Sequence, residues 1–248
     1  MNFALFSVLA CLSIGYGSIS EVEDKEKQCD VLKQLLESSA VSVELKKDGF
    51  HRELVTSVEL RSDDLRGVRV LLVHRWPSGV YVDPFELSSL HDQRDWQILL
   101  DSAIDLELPA HKTYGFVTYV FLTPNGPSPR RLTVTIPIHA RYHKSSFDGK
   151  SSTAVEIKPP ELLLRTEKCT QLDSLQSYTV MEAPCTSDNS STCAWAKIHQ
   201  QQAQTSLTLQ IPVGDGSRVI LVSAGTLLVT MICCVGLSRF MWKHRIKQ

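Results

Sequence analysis

Charge is missing from two stretches of this 248-residue chain, and the length of each stretch limits what it can be. The first twenty residues hold no acidic or basic side chain, and none interrupts the nineteen residues Val219–Leu237 (VILVSAGTLLVTMICCVGL). Within the first stretch, Phe3–Ile14 (FALFSVLACLSI) is too short to cross a bilayer and suits the apolar centre of an export signal. Gly15/Gly17 and Ser18/Ser20 follow as small-residue pairs at signal-peptidase spacing, so cleavage is expected after Gly17 or Ser20, with Ser20 preferred. The second run, at about 1.5 Å per residue, reaches about 28 Å, close to the thickness of a bilayer's hydrocarbon core. It predicts a membrane helix over residues 218–238.

Acid is absent beyond Asp215, whereas the tail SRFMWKHRIKQ carries Arg239, Lys243, Arg245 and Lys247. Lys/Arg bias of this kind places residues 239–248 in the cytosol and residues 21–217 in the lumen. An export signal demands the same orientation, so the chain reads as a single-pass type I membrane protein.

Catalytic signatures are missing too. The chain has no G-x-S-x-G elbow, H-E-x-x-H motif, Gly-rich phosphate loop or D-x-D pair. It has no C-x₂-C pair, which argues against a four-cysteine zinc site. Internal repeats, long amphipathic helices and a βαβ rhythm are absent as well. No cofactor or metal is expected. All 27 acidic residues but only 21 of the 26 basic ones fall in the exported part, giving it a net charge near −6. A mildly acidic surface offers nothing to nucleic acid.

What remains sorts by compartment. Cys11 belongs to the export signal, and Cys233 and Cys234 lie inside the span. Cys29, Cys169, Cys185 and Cys193 are left in an oxidising lumen, enough for two disulfides in one of three pairings. Cys185 and Cys193 enclose a short polar loop that a bridge would pin, and this favours Cys29–Cys169 as the other pair. The alternatives also close allowed loops. Inside the same loop, Asn189-Ser190-Ser191 is a glycosylation sequon in the correct compartment.

The exported chain itself reads as short alternating runs. A charged start around Val31, Leu32, Leu35 and Leu36 predicts one short helix. Strands are predicted at Val41–Leu45, Leu54–Leu60, Val68–Val73, Leu99–Leu106, Tyr114–Leu122, Leu132–Ile138, Ala154–Ile157 with the following PPELLL, and Ser206–Ile211. Pro137 argues for an edge position or a strand end. Eight or so strands separated by Gly/Pro turns predict a mostly β domain, an antiparallel β-sandwich followed by one C-terminal transmembrane helix.

Candidate sites are few. His139 and His143 are four apart in HARYH, a metal-binding spacing only on a helix, and here they follow a strand. His51 lies beside Asp48, Arg52 and Glu53 in a turn leading into a strand. The segment Trp76–Leu90 (WPSGVYVDPFELSSL) sets Trp76, Tyr81 and Phe85 among Asp83, Glu86 and two prolines. Core cover is one reading of it; an aromatic contact patch for a partner is the other. In the span, Ser223, Ala224, Gly225, Thr226 and Thr230 would permit close helix–helix contact, without a strict G-x-x-x-G pattern.

Several segments together carry a resemblance. KDGFHREL (Lys47–Leu54), GVYVDPFEL (Gly79–Leu87), PIHARYH (Pro137–His143), EIKPPELLL (Glu156–Leu164), the APC and CAW cysteines (Cys185, Cys193) and LQIPVG (Leu209–Gly214) resemble the PIG-X family. These are accessory subunits of the first mannosyltransferase of glycosylphosphatidylinositol (GPI) synthesis. The resemblance implies a type I glycoprotein of the endoplasmic reticulum that binds and stabilises a multi-spanning catalytic subunit, PIG-M. That partner transfers mannose from dolichol-phosphate mannose to a glucosaminyl-phosphatidylinositol, and the resemblance implies no catalytic residue in this chain. The tail ends R-I-K-Q without a dilysine retrieval signal, so residence would depend on the partner or the span. A cell-surface adhesion or receptor-like sandwich is the alternative. A lumenal enzyme using His51, Asp83, His139 or His143 is the third class.

Overall fold

The computed structural model describes residues 29–62, 65, 67–91, 96–124, 131–167, 169, 178–188, 191–198 and 206–245. The expected export signal at 1–20 and the sequon residue Asn189 lie outside them.

A helix, α1 (residues 29–38), opens the described chain and buries Leu32, Leu35 and Leu36, the i, i+3, i+4 stripe of an amphipathic helix. Twelve strands follow among the described residues. β1 (Ala40–Lys46), β2 (His51–Glu59), β7 (Arg131–Ala140) and the two-residue β4 (Val80–Tyr81) form one sheet in the order β1-β2-β7-β4. A second sheet has the order β10-β11-β9-β3-β6-β5. Its strands are β3 (Val68–Trp76), β5 (Trp96–Leu100), β6 (Phe116–Leu122), β9 (Glu161–Thr166), β10 (Thr179–Pro184) and β11 (Thr192–Lys197). β8 (Ser152–Ile157) and β12 (Leu207–Pro212) pair apart from both. Every pairing between these strands is antiparallel.

Period-two alternation decides which side chains are buried. Val134, Ile136, Ile138 and Ala140 of β7 face Val68, Val70 and Leu72 of β3 across one apolar core. Val155, Ile157, Leu209 and Ile211 bring β8 and β12 into that core. Leu71, Val73, Leu163 and Trp195 build a smaller cluster on the other face of the six-stranded sheet. The sandwich is therefore apolar on both sides of its larger sheet.

Disulfides join Cys29 to Cys169 and Cys185 to Cys193. The first ties α1 to the segment after β9, and the second closes the turn between β10 and β11.

Some elements differ from the expected ones. The strand expected at Leu99–Leu106 starts earlier and ends at Leu100, because Ser102 to Leu108 turn on the Asp105 carboxylate, which accepts from the Glu107 and Leu108 N–H groups. ELLL is a strand of its own, β9, placed two strands from the edge of the large sheet while β8 pairs elsewhere. Pro137 lies inside β7, but β4 reaches only His139 and Ala140, so the side away from β2 is unpaired at Pro137.

At the far end, α3 (Val219–Arg245) runs 27 residues without a break. Its apolar side chains are exposed, from Ile220 at 82 % to Trp242 at 73 %, and none of its apolar window is buried among the described residues. A helix this long and apolar, with no burial against the domain, is a membrane span.

Candidate functional site

Three of the segments quoted above, distant in sequence, meet beside one strand end. In the antiparallel registers, His51 of β2 and Tyr81 of β4 both stand opposite His139 of β7, one on each side. The rings meet accordingly. His51 stands edge-on to His139 at 4.6 Å, and Tyr81 stacks on its other flank at 4.9 Å. Because Ile138 and Ala140 point into the core, His139 takes the outer face of the sheet.

Arg141, just past β7, lays its guanidinium 4.7 Å from the Tyr81 ring centroid. Its Nη1 donates to the Leu108 carbonyl at 2.7 Å, and its backbone N–H donates to Gly79 O at 2.9 Å. Burial lowers the pKa of this guanidinium, while Tyr81 and Asp105 oppose that shift. The Tyr81 hydroxyl is raised in turn, first by burial and then by Asp83, Glu107 and Glu86, with Arg141 acting the other way.

An eight-residue helix, α2 (Pro84–His91), is mounted on this cluster. Asp83 caps it, its Oδ1 accepting from Phe85 N at 2.8 Å, and Pro84 fills the first helical position. Leu87 enters the core, and Glu86 Oε2 sits 2.8 Å from His139 Nε2. These tethers leave one large side chain outward. Phe85 is 77 % exposed on a base that is fixed from three directions.

The expected site residues separate on this frame. Trp76 is buried at 3 % exposure, its Nε1 donating to Thr118 Oγ1 at 3.0 Å and its ring stacked between His74 and Phe116. It therefore packs the core and presents nothing to a partner. Tyr81 is half-buried as a wall of the cluster, and Phe85 is its exposed tip. Asp83 is occupied as a helix cap. His143 leaves His139 behind, its Nε2 lying near Gly79 and its pKa lowered by burial and then by His111. His74 is buried in the core, its pKa lowered to about 3 by loss of solvent.

Arg141 was not singled out by sequence reasoning, and Glu86 only as a charge among the aromatics of its segment. The alternation of PIHARYH held the signal, since it sets His139 and Arg141 on the face away from the core. Among the described residues no group of three His, Cys, Asp or Glu side chains is placed to hold a metal. The chemistry of the cluster is stacking, charge–ring contact and hydrogen bonding, which orients a surface.

A disulfide-linked β-sandwich on a C-terminal membrane helix defines a membrane-anchored β-domain protein. The chain belongs to the PIG-X / PBN1 family, whose model matches residues 47–242. A protein of Homo sapiens named GPI alpha-1,4-mannosyltransferase I, stabilizing subunit, is 29 % identical over 194 residues, covering 77 % of this chain and 74 % of that one. Proteins with the same name from Rattus norvegicus and Mus musculus are each 28 % identical, over 77 % of this chain and 76 % of theirs.

Proposed function

We propose that this chain is the non-catalytic, stabilising subunit of the endoplasmic reticulum mannosyltransferase that adds the first mannose to the GPI precursor. The observation that carries the reading is the family match across residues 47–242, which takes in most of the β-domain and the span. The protein is anchored in the endoplasmic reticulum membrane in type I orientation, with the β-domain in the lumen. We assign residues 1–20 to a cleaved signal, 21–217 to the lumenal domain, 218–238 to the crossing and 239–248 to the cytosolic tail. Asn189 is assigned as a glycan site.

The finer part of the proposal is the partner, the multi-spanning catalytic subunit PIG-M. Binding only the folded partner stabilises it by mass action, about 2.7 kcal/mol when this subunit is present at a hundred times its Kd. Phe85 is the proposed anchor, with Tyr81 behind it. A ring already held in place loses little freedom on docking, so more of its burial survives as affinity. Support for this lies in the geometry: Phe85 costs the domain an exposed aromatic side chain, and Asp83, Glu86 and Leu87 all hold it there.

Deleting the gene and measuring both PIG-M abundance and the first mannosylation tests the reading. Both should fall together. Normal PIG-M abundance with failed mannosylation would mean that the subunit does more than stabilise, and normal values of both would reject the assignment.

A further inference from the structure

The chain enters α3 through a clasp, with no loose linker between domain and span. Ser146 and Asp215 form a parallel bridge, with Ser146 N donating to Gly214 O at 2.8 Å and Gly216 N to Ser146 O at 2.7 Å. Asp215 Oδ1 then caps the turn Gly216–Arg218, accepting from Ser217 N at 3.0 Å and Ser217 Oγ at 2.6 Å. On the other side of the clasp, Ser146 Oγ donates to Asp148 and accepts from Lys150 N at 3.0 Å. Residues 146–150 and the head of the span are one hydrogen-bonded unit.

Phe147 sits at its centre. A Cβ on Gly216 would lie 2.8 Å from Cε1, Cε2 and Cζ of the Phe147 ring, so the ring rests where only a glycine leaves room. Gly216 is buried beneath it, yet Phe147 itself is 78 % exposed. Val219, where the uninterrupted apolar helix begins, lies three positions beyond Gly216. At about 1.5–2 Å per residue, that puts the ring roughly 4.5–6 Å outside the hydrocarbon core. The polar layer on each side of the core is roughly 5–7 Å deep. The height of the ring is therefore that of the phospholipid headgroups and glycerol.

We infer that the loop 146–150 is a membrane foot, in which Phe147 inserts into the lumenal headgroup layer and, through the clasp, sets the height of the β-domain above the bilayer. Charge does not select the lipid. Lys150 is paired with Asp148 at 2.9 Å and Arg218 with Asp215 at 3.1 Å, leaving the foot close to neutral. A zwitterionic phospholipid surface is the surface it fits. The inference rests on α3 being a span and is independent of the subunit's catalytic partner.

The test reconstitutes the full chain in phosphatidylcholine nanodiscs with the photo-reactive p-benzoylphenylalanine at position 147. A control carries it at Arg131, which starts β7, roughly 30 Å of strand away from Ala140. Lipid adducts should be at least tenfold more abundant from position 147. Equal yields would overturn the inference. So would a probe that, in native membranes, links to protein and not to lipid. Should the probe disturb folding, Phe147→Trp in discs of lipid brominated near the glycerol gives an independent reading. It should lose more fluorescence than the wild-type chain, and equal quenching rejects the foot.

Discussion

His74 is the residue whose burial has a measurable consequence. It stacks on Trp76 at 5.2 Å inside the sandwich, and its Nε2 finds no hydrogen-bond partner among the described residues. With its pKa lowered to about 3, the folded protein keeps this ring neutral while the unfolded chain protonates it near 6.5. Between those values the unfolded state binds the extra proton, so stability falls as pH falls, by about 1.4 kcal/mol per pH unit. Above about 6.5 this dependence vanishes. Urea unfolding of the lumenal domain at pH 7, 6 and 5 should show the loss, and His74→Leu should flatten it. Burial shifts His143 in the same direction and adds to the slope. Phe85 makes the opposite kind of prediction. Phe85→Ala should leave the melting temperature within about 2 °C of wild type, since an exposed ring contributes little to folding. Co-purification of PIG-M should nevertheless drop by about tenfold, a loss typical of a central anchor.

At the scale of elements, α2 depends on its cap. Replacing Asp83 by Ala removes the acceptor for Phe85 N and should cost about 1 kcal/mol, read as a lower urea midpoint. PIG-M co-purification should weaken as well, because the helix that aims Phe85 frays. This helix was hidden in the sequence for a physical reason: at eight residues it is held by a cap, a hydrogen bond between Glu86 and His139 and one core leucine, with no apolar stripe. β6 was legible because its burial alternates without exception from Phe116 to Leu122. β9 was harder. Leu162 and Leu164 enter the main core while Leu163 enters the cluster on the other face, so the strand reads as an unbroken apolar run. β10 and β11 were missed because neither buries more than two residues and their burial does not alternate, and their hairpin is held by Cys185–Cys193. Of the candidate site, Tyr81 and Phe85 were visible as aromatics among turns. Arg141 had no signal of its own, and the roles of Glu86 and His139 became apparent only when α2 and the β2-β7-β4 register brought them together.

For the whole molecule, the two disulfides should differ in weight. Cys29–Cys169 closes a loop with a sequence separation of 140, and Cys185–Cys193 one of 8. Chain entropy alone assigns them about 5 and about 2.6 kcal/mol. Thermal melts of Cys29→Ala/Cys169→Ala and Cys185→Ala/Cys193→Ala should therefore show the larger loss for the first pair. The span can be weighed in a similar way. If α3 packs on the partner through Ser223, Gly225, Thr226 and Thr230, exchanging Val219–Leu237 for an unrelated apolar helix should restore the anchor but only part of the PIG-M level. Complete rescue in cells lacking the native gene would reduce α3 to a tether.

The pairing of β8 with β12 also sets an order of events during synthesis. β8 needs Leu209 and Ile211 to cover Val155 and Ile157, and β12 is the last strand before the membrane helix. Fifty positions separate Ile157 from Leu207, which at 5–20 residues per second is about 2.5–10 s of translation. Throughout that interval the nascent domain holds an unpaired apolar strand in the lumen, open to chaperones. Its last strand arrives only as the anchor is about to follow, so the domain completes its fold beside the membrane where its partner resides.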